Sequence, residues 1–181
     1  MQVIGERSSI LKKENLLSLV ILPTSEKRKV NLMFLWLFLW TVSGFIIFAN
    51  YFKLTNVNAK LFVIIWLGFW AYFEFKIARV FLWKRFGKEK LWIKDGTVFY
   101  QREISGRGKI KKYDLNLIET IDYLPLEKGN FADVFNQSFW VKGGERLEFI
   151  CQSKRIRFGM QLKDDEAKTI QKELNKFIKS K

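Results

Sequence analysis

Residues 30–52 read VNLMFLWLFLWTVSGFIIFANYF, 23 consecutive positions without a charge. About 20 predominantly apolar residues are enough for a helix to cross the roughly 30 Å hydrocarbon core of a bilayer. Large apolar side chains fall all round the helical projection of this run, which leaves no polar face for water. A cleaved signal peptide fits poorly. The run is too long, begins too late, and is followed by no small-residue cleavage pattern. The competing soluble reading is a buried core helix.

Working outward, Leu61 to Phe73 is a second run of 13 uncharged residues. Glu74, Lys76 and Arg79 then appear among Phe75, Ile77, Ala78, Val80, Phe81, Leu82 and Trp83. A charge at the centre of a membrane helix costs roughly 2.5–3.5 kcal/mol, and a Leu, Ile or Phe returns only about 0.3–0.6. In a span over 61–83 the three charges lie toward the far end, where Lys76 and Arg79 can extend to the headgroups. The short connection from Lys53 to Lys60 joins the two runs as an antiparallel helical hairpin. Lys27, Arg28 and Lys29 precede it, and Arg79, Lys84, Arg85, Lys88 and Lys90 close or follow it, against only Lys53 and Lys60 in the loop. Positive charge marks the cytoplasmic side. The expectation is therefore a multi-pass protein of the inner (plasma) membrane with both termini in the cytoplasm.

Tyr72, Lys76, Arg79 and Trp83 share one helical face, and Glu74 lies nearly opposite. Glu74 thus has no partner on its own helix. An ionisable group at membrane depth is a functional candidate, so Glu74, Lys76 and Arg79 are the candidate intramembrane contact residues. The corresponding expectation is a partner helix, including a second copy through the hairpin; the plainer alternative places Glu74 at the membrane interface. The i,i+4 pairs Trp36/Trp40 and Trp66/Trp70 read as helix packing. Gly44 and Gly68 are isolated and form no GxxxG motif.

The whole chain has 181 residues, 49% of them hydrophobic and 17% aromatic, which excludes a disordered polypeptide. A single Cys151 excludes a disulfide scaffold and a cysteine zinc cluster. The absence of His removes histidine bases, His-assisted nucleophiles and His metal sites. The expectation is no catalytic residue, no metal and no cofactor. The net charge of +14 is spread along the chain. It suits an anionic membrane surface or nucleic acid, and the apolar middle third favours the membrane.

From Gly87 the pattern changes to short strands with turn punctuation. Strands are predicted over Leu91–Lys94, Thr97–Ile104, Lys109–Tyr113, Leu117–Leu124, Ser138–Lys142, Arg146–Cys151 and Arg155–Phe158. Asp95-Gly96 is a two-residue hairpin turn, and Ser105-Gly106-Arg107-Gly108 reads as another. Residues 126–137 form a loop, in or beside which Phe131, Val134, Phe135 and Phe139 are core or an adhesive patch. Asp164, Asp165 and Glu166 suit a helix N-terminus. Ala167, Ile170, Leu174, Phe177 and Ile178 then make one apolar stripe. The predicted division is residues 1–29, a cytoplasmic N-terminal segment; 30–86, the hairpin; and 87–181, the cytoplasmic domain. Leu16 to Leu22 either adds a strand or lies along the membrane.

Seven strands and a terminal helix resemble the pleckstrin-homology-like (PH-like) fold. Leu82-Trp83-Lys84-Arg85-Phe86-Gly87-Lys88-Glu89 resembles the junction in small bacterial membrane proteins that pair a two-span hairpin with a PH-like domain. So do Tyr113 before Leu117-Ile118, and Arg157-Phe158-Gly159 followed by Asp165-Glu166-Ala167. The two-span chloroplast photosystem I assembly factor is similar in layout. The resemblance covers residues 30–180. It implies an α+β membrane protein: a two-helix transmembrane hairpin, then a seven-stranded antiparallel PH-like β-barrel or sandwich capped by one amphipathic helix. It carries no catalytic residue. Nor does it carry phosphoinositide binding, because the first hairpin turn is the tight Asp95-Gly96 rather than a basic loop.

Arg107, Lys109, Lys111 and Lys112 are the densest basic cluster of the domain. Two readings stand: a solvated strand surface, or contact with anionic headgroups. Nucleic acid lacks the accompanying aromatic platform. The function expected is a membrane-anchored binding or scaffold module for another membrane or cytoplasmic protein; the alternative is an anionic-lipid-sensing domain. An enzyme built on Asp114, Glu119 or Asp122 is the remaining class, and nothing pairs these carboxylates at a diagnostic spacing.

Overall fold

A computed structural model describes residues 2–23, 26–125 and 138–180. The chain divides into two compact units. Residues 26–85 form one of them, and the other combines the two flanking pieces, Met1–Ser25 and Phe86–Lys181. The helical pair is thus an insertion within a β domain.

The helical unit contains α1 (Lys27–Tyr51) and most of α2 (Val57–Phe86). Asn56 starts α2 as a side-chain cap, its Oδ1 accepting from the amides of Asn58 and Ala59. Of the 28 large apolar side chains exposed among the described residues, ten lie on α1 and eleven on α2. Both helices are long and apolar enough to cross a membrane. At 1.5 Å per residue, the 30 residues of α2 run about 45 Å, well past a hydrocarbon core.

The β unit begins with β1 (Gln2–Val3), β2 (Ser8–Lys13) and β3 (Leu16–Ile21). After the insertion come β4 (Gly87–Lys94), β5 (Thr97–Ile104), β6 (Ile110–Asp114) and β7 (Ile121–Tyr123). Then follow β8 (Glu145–Cys151), β9 (Lys154–Met160) and the helix α3 (Asp164–Lys179). One antiparallel sheet runs β1-β2-β3-β4-β5-β6, in which the two-residue β1 is only an edge pairing. The second runs β7-β8-β9. The join between the two pieces of the domain is β3 on β4, in register from Leu16↔Lys94 to Ile21↔Glu89.

The sheets share one core. Leu17, Leu19, Leu91, Ile93 and Val98 from the first meet Leu147, Phe149, Ile156 and Phe158 from the second. Ala167, Ile170, Leu174 and Phe177 of α3 join the same cluster, as their spacing predicts. Asn175 makes paired bonds to the Ile121 backbone, accepting from its N–H at 2.8 Å and donating to its C=O at 2.9 Å. It thereby covers the edge of β7 that would otherwise be open. Arg146, only 3% exposed, donates to the Leu124 carbonyl, the Tyr123 hydroxyl and the Asp164 carboxylate at the start of α3.

The α+β class holds, but the seven-stranded barrel is corrected. Among the described residues neither sheet closes on the other, and the strands differ in number and place. Ser138–Lys142 is not a strand but a turn, closed by the Val141 amide on the Ser138 carbonyl and held by the Gln161 side chain on the same oxygen. Leu117–Leu124 is replaced by a 3-10 turn (Leu115–Leu117) and the short β7. Leu16–Ile21, left open between a strand and a membrane-surface stretch, is a strand with Leu17 and Leu19 fully buried.

Two outcomes follow from this architecture. Excising residues 26–85, so that β3 leads into β4 through a short loop, yields a soluble domain with one cooperative melt by circular dichroism. The fragment 87–181, stripped of β1–β3, aggregates instead. The second outcome concerns acid. The hydrogen bond from Arg146 holds the Asp164 carboxyl below its ordinary value of 3.8. Its contribution to stability is complete above that value and is lost as pH falls through the lowered, folded one. Asp164→Asn therefore leaves a shallower acid-side fall in melting temperature than the unsubstituted chain shows.

Candidate functional site

The four basic residues of the β5–β6 region separate on folding. Pairing of Tyr100 with Lys111 and of Phe99 with Lys112 puts the two lysines on opposite faces of the sheet. Lys112 lies over the Phe99 ring, 5.8 Å from its centroid, and Phe99 stacks on Trp92 at 5.2 Å. Arg107 sits in the turn, where its backbone is bonded reciprocally to Ile104. Lys109 and Lys111 instead enter a cleft of about 350 Å³ lined by Tyr100, Arg102, Lys109, Lys111, Arg155, Ile156 and Arg157. Gly108 sets this approach: a Cβ there would stand 2.2 Å from the Arg102 carbonyl oxygen.

Sequence reasoning did not single out Arg102, Arg155 or Arg157. The available signal was Arg155-Ile156-Arg157-Phe158, a strand alternating basic and apolar residues. Both β6 and β9 are edge strands of their sheets.

Glu89 on β4 bonds two of the residues that line the cleft, Tyr100 and Arg102. It is 2% exposed. Its Oε1 accepts from the Tyr100 hydroxyl at 2.5 Å and from Arg102 Nε at 3.1 Å. Its Oε2 accepts from the amides of Gly159 and Met160 at 2.9 and 3.1 Å. Gly159 has φ +75°, a backbone that suits glycine. A buried carboxylate needs donors of this kind to offset its loss of hydration. One carboxylate therefore ties the first sheet to β9.

Arg102 continues the network to Glu145 at 2.9 Å and to the Arg157 carbonyl at 3.2 Å. Arg157 in turn meets Glu148 at 3.1 Å. Burial first, and the Glu89 charge second, push the Tyr100 phenol far above its usual value, so it remains a hydrogen-bond donor. Burial, the largest single influence, would lower the Arg102 guanidinium, but Glu89, Tyr100 and Glu145 together raise it, so it remains charged. Arg102 and Arg157 thus have carboxylate partners. Lys109, Lys111 and Arg155 have none among the described residues.

In the helical unit, Glu74 is separated from Lys76 and Arg79. The Thr41 hydroxyl of α1 lies within hydrogen-bond distance of Glu74 Oε1, at 2.6 Å, and of its own Leu37 carbonyl, at 2.8 Å, and its one proton serves one of them at a time. Glu74 Oε2 is buried without a partner. Lys76 lies over the Tyr72 ring at 5.4 Å, and Arg79 over Phe75 at 5.3 Å. Trp70 donates to the Trp40 carbonyl at 3.1 Å. Gly44 leaves the space for Trp70, since a Cβ there would lie 2.0 Å from the indole. The isolated glycine serves the hairpin's own packing.

Asp114, Glu119 and Asp122 are exposed and are not gathered. Asp114 caps the 3-10 turn by accepting from the Asn116 amide, and Asp122 accepts from Thr120. Phe131, Val134 and Phe135 lie outside the described residues. Phe139 is half-buried beside the exposed Trp140. No group of three potential metal ligands is brought together among the described residues. No family model, curated protein or solved structure matches the chain.

If Glu89 secures β9, Glu89→Gln is strongly destabilising, because its amide would point a donor at existing donors. Removing one partner of a buried pair costs about 3–5 kcal/mol. Thermal melting of the full chain in detergent shows this loss, and a far smaller one for Glu145→Gln, whose side chain is 23% exposed.

Proposed function

We propose that the chain is a membrane-anchored binding or scaffold module: the helical pair spans a bilayer, and the β domain is presented on the cytoplasmic side with PH-like character. The observation that carries the reading is the insertion of the hairpin between two paired strands. The chain leaves for α1 after Ile21 and returns through α2 directly into Gly87, two residues from the position paired with Ile21. A pair of helices that crosses a bilayer out and back begins and ends on one side, which on this reading is the side that holds the domain. The basic flanks support the cytoplasmic assignment, and the inner membrane with it.

The domain is joined to the helical pair through both β3 and β4. That suits holding a partner at the membrane surface. Two antiparallel sheets under a terminal helix support the PH-like comparison, although the strand count departs from it. The open edges of β6 and β9 are available to a partner strand.

Labelling tests the topology. In a bacterial host expressing the full chain with Cys151→Ala, single cysteines replace Thr55, Lys12 or Lys179. A membrane-impermeant maleimide labels Thr55→Cys in intact spheroplasts and the other two only after permeabilisation. Labelling of all three from outside, or extraction of the chain by alkaline carbonate, overturns the reading. Crosslinking followed by pulldown, with and without residues 87–181, then identifies the partner.

A further inference from the structure

We propose that the cleft between β5–β6 and β9 binds a phosphate group, with Lys109, Lys111 and Arg155 as its recognition cations. Five basic side chains line this one cleft of about 350 Å³. Two of them, Arg102 and Arg157, are held in place by Glu89, Glu145 and Glu148. The remaining three converge with no carboxylate among the described residues to compensate them. Like charges brought together repel unless an anion joins them.

A phosphate oxyanion suits this arrangement. It accepts charge-assisted bonds from ammonium groups and from a guanidinium fork. The volume falls within the usual range for small-ligand sites. The surroundings are fixed before any ligand arrives, because Glu89 locks Arg102 and the β9 backbone. The ordering cost on binding then falls on the exposed side chains of Lys109, Lys111 and Arg155.

The place of the cleft indicates where such a phosphate would come from. Arg102 is paired with Glu89, three residues beyond Phe86, where α2 ends. At about 3.3 Å per residue, this is roughly 10 Å of strand from the last residue of α2. If α2 leaves the bilayer there, as the proposed function has it, lipid headgroups are the nearest concentrated source of phosphate. The lipid source rests on that reading; the phosphate site itself does not.

The test uses the full chain purified in detergent and two probes, inorganic phosphate and a soluble dibutyryl phosphatidic acid, followed by calorimetric titration. Phosphatidic acid is expected to bind. Lys111→Gln and Arg155→Gln are each expected to weaken it about tenfold, the loss of one charge-assisted bond. Lys111→Arg retains binding, and so does Lys112→Gln, whose side chain lies on the opposite face. Melting of each variant shows that the domain is folded.

Equal binding of inorganic phosphate assigns the site to a free phosphate, whereas binding of the lipid alone assigns it to a headgroup. Absence of binding by both probes overturns the proposal. So does an equal loss from Lys112→Gln and Lys111→Gln, which would show only diffuse attraction to a basic surface. Should carbonate extract the chain from membranes, the membrane reading fails while the inorganic phosphate titration still decides the cleft.

Discussion

The pairing of β3 with β4 is the constraint on which the rest depends. These neighbours in the sheet are separated in sequence by the 65 residues from Leu22 to Phe86. Loop-closure entropy grows slowly with length, and an antiparallel helical pair returns the chain toward its starting point. The ladder from Leu16↔Lys94 to Ile21↔Glu89 closes the domain across that excursion. It buries Leu17 and Leu19 completely, and so makes the N-terminal segment part of the core. Without it, β4 would be an exposed edge rich in Leu91, Trp92 and Ile93.

The same strand supplies the second constraint, the buried carboxylate of Glu89. Isolated, it would be among the least favourable groups in the core. With four donors from β5 and the end of β9, it becomes the connection between the sheets. Matching of charge then stops at Arg102 and Arg157. Lys109, Lys111 and Arg155 remain as surplus charge on a rigid support, so the polar core and the proposed phosphate site are two parts of one electrostatic arrangement.

Local signals in the sequence were legible where structure is local. Thr97–Ile104 is a strand to the residue, Asp95-Gly96 turns with both residues at positive φ, and the stripe from Ala167 to Phe177 faces the core. What failed was non-local. Leu16 to Leu22 is an apolar run broken only by Ser18 that suits a sheet or a membrane surface equally, and only its distant partner decides. Phe139 and Val141 have strand-like side chains, but Gln161 bonds the Ser138 carbonyl and fixes a turn there. Glu89 reads as a surface charge between two lysines, because the groups that bury it are Tyr100, Arg102 and the backbone of Gly159, 70 residues further on. The candidate cluster was half legible for the same reason: alternation places Lys109 and Lys111 together, but Arg155 arrives from the other sheet.

The helical pair follows the same logic at its seam. Glu74 stood out in the sequence because nothing on its own helix could easily meet it, which left another chain, a wet crevice, a protonated state or the membrane interface as readings. Its donor is Thr41, on the other helix of the same hairpin. Both helices are long and apolar enough to cross a membrane, and in hydrocarbon no water would compete for such a bond. Together with the Trp70 bond to the Trp40 carbonyl, it fixes which face of α2 meets α1. Lys76 and Arg79 accordingly turn to rings of their own helix rather than to Glu74. One carboxylate oxygen is thereby satisfied within the chain, so any requirement for a further helix is confined to Oε2, the buried oxygen that has no partner.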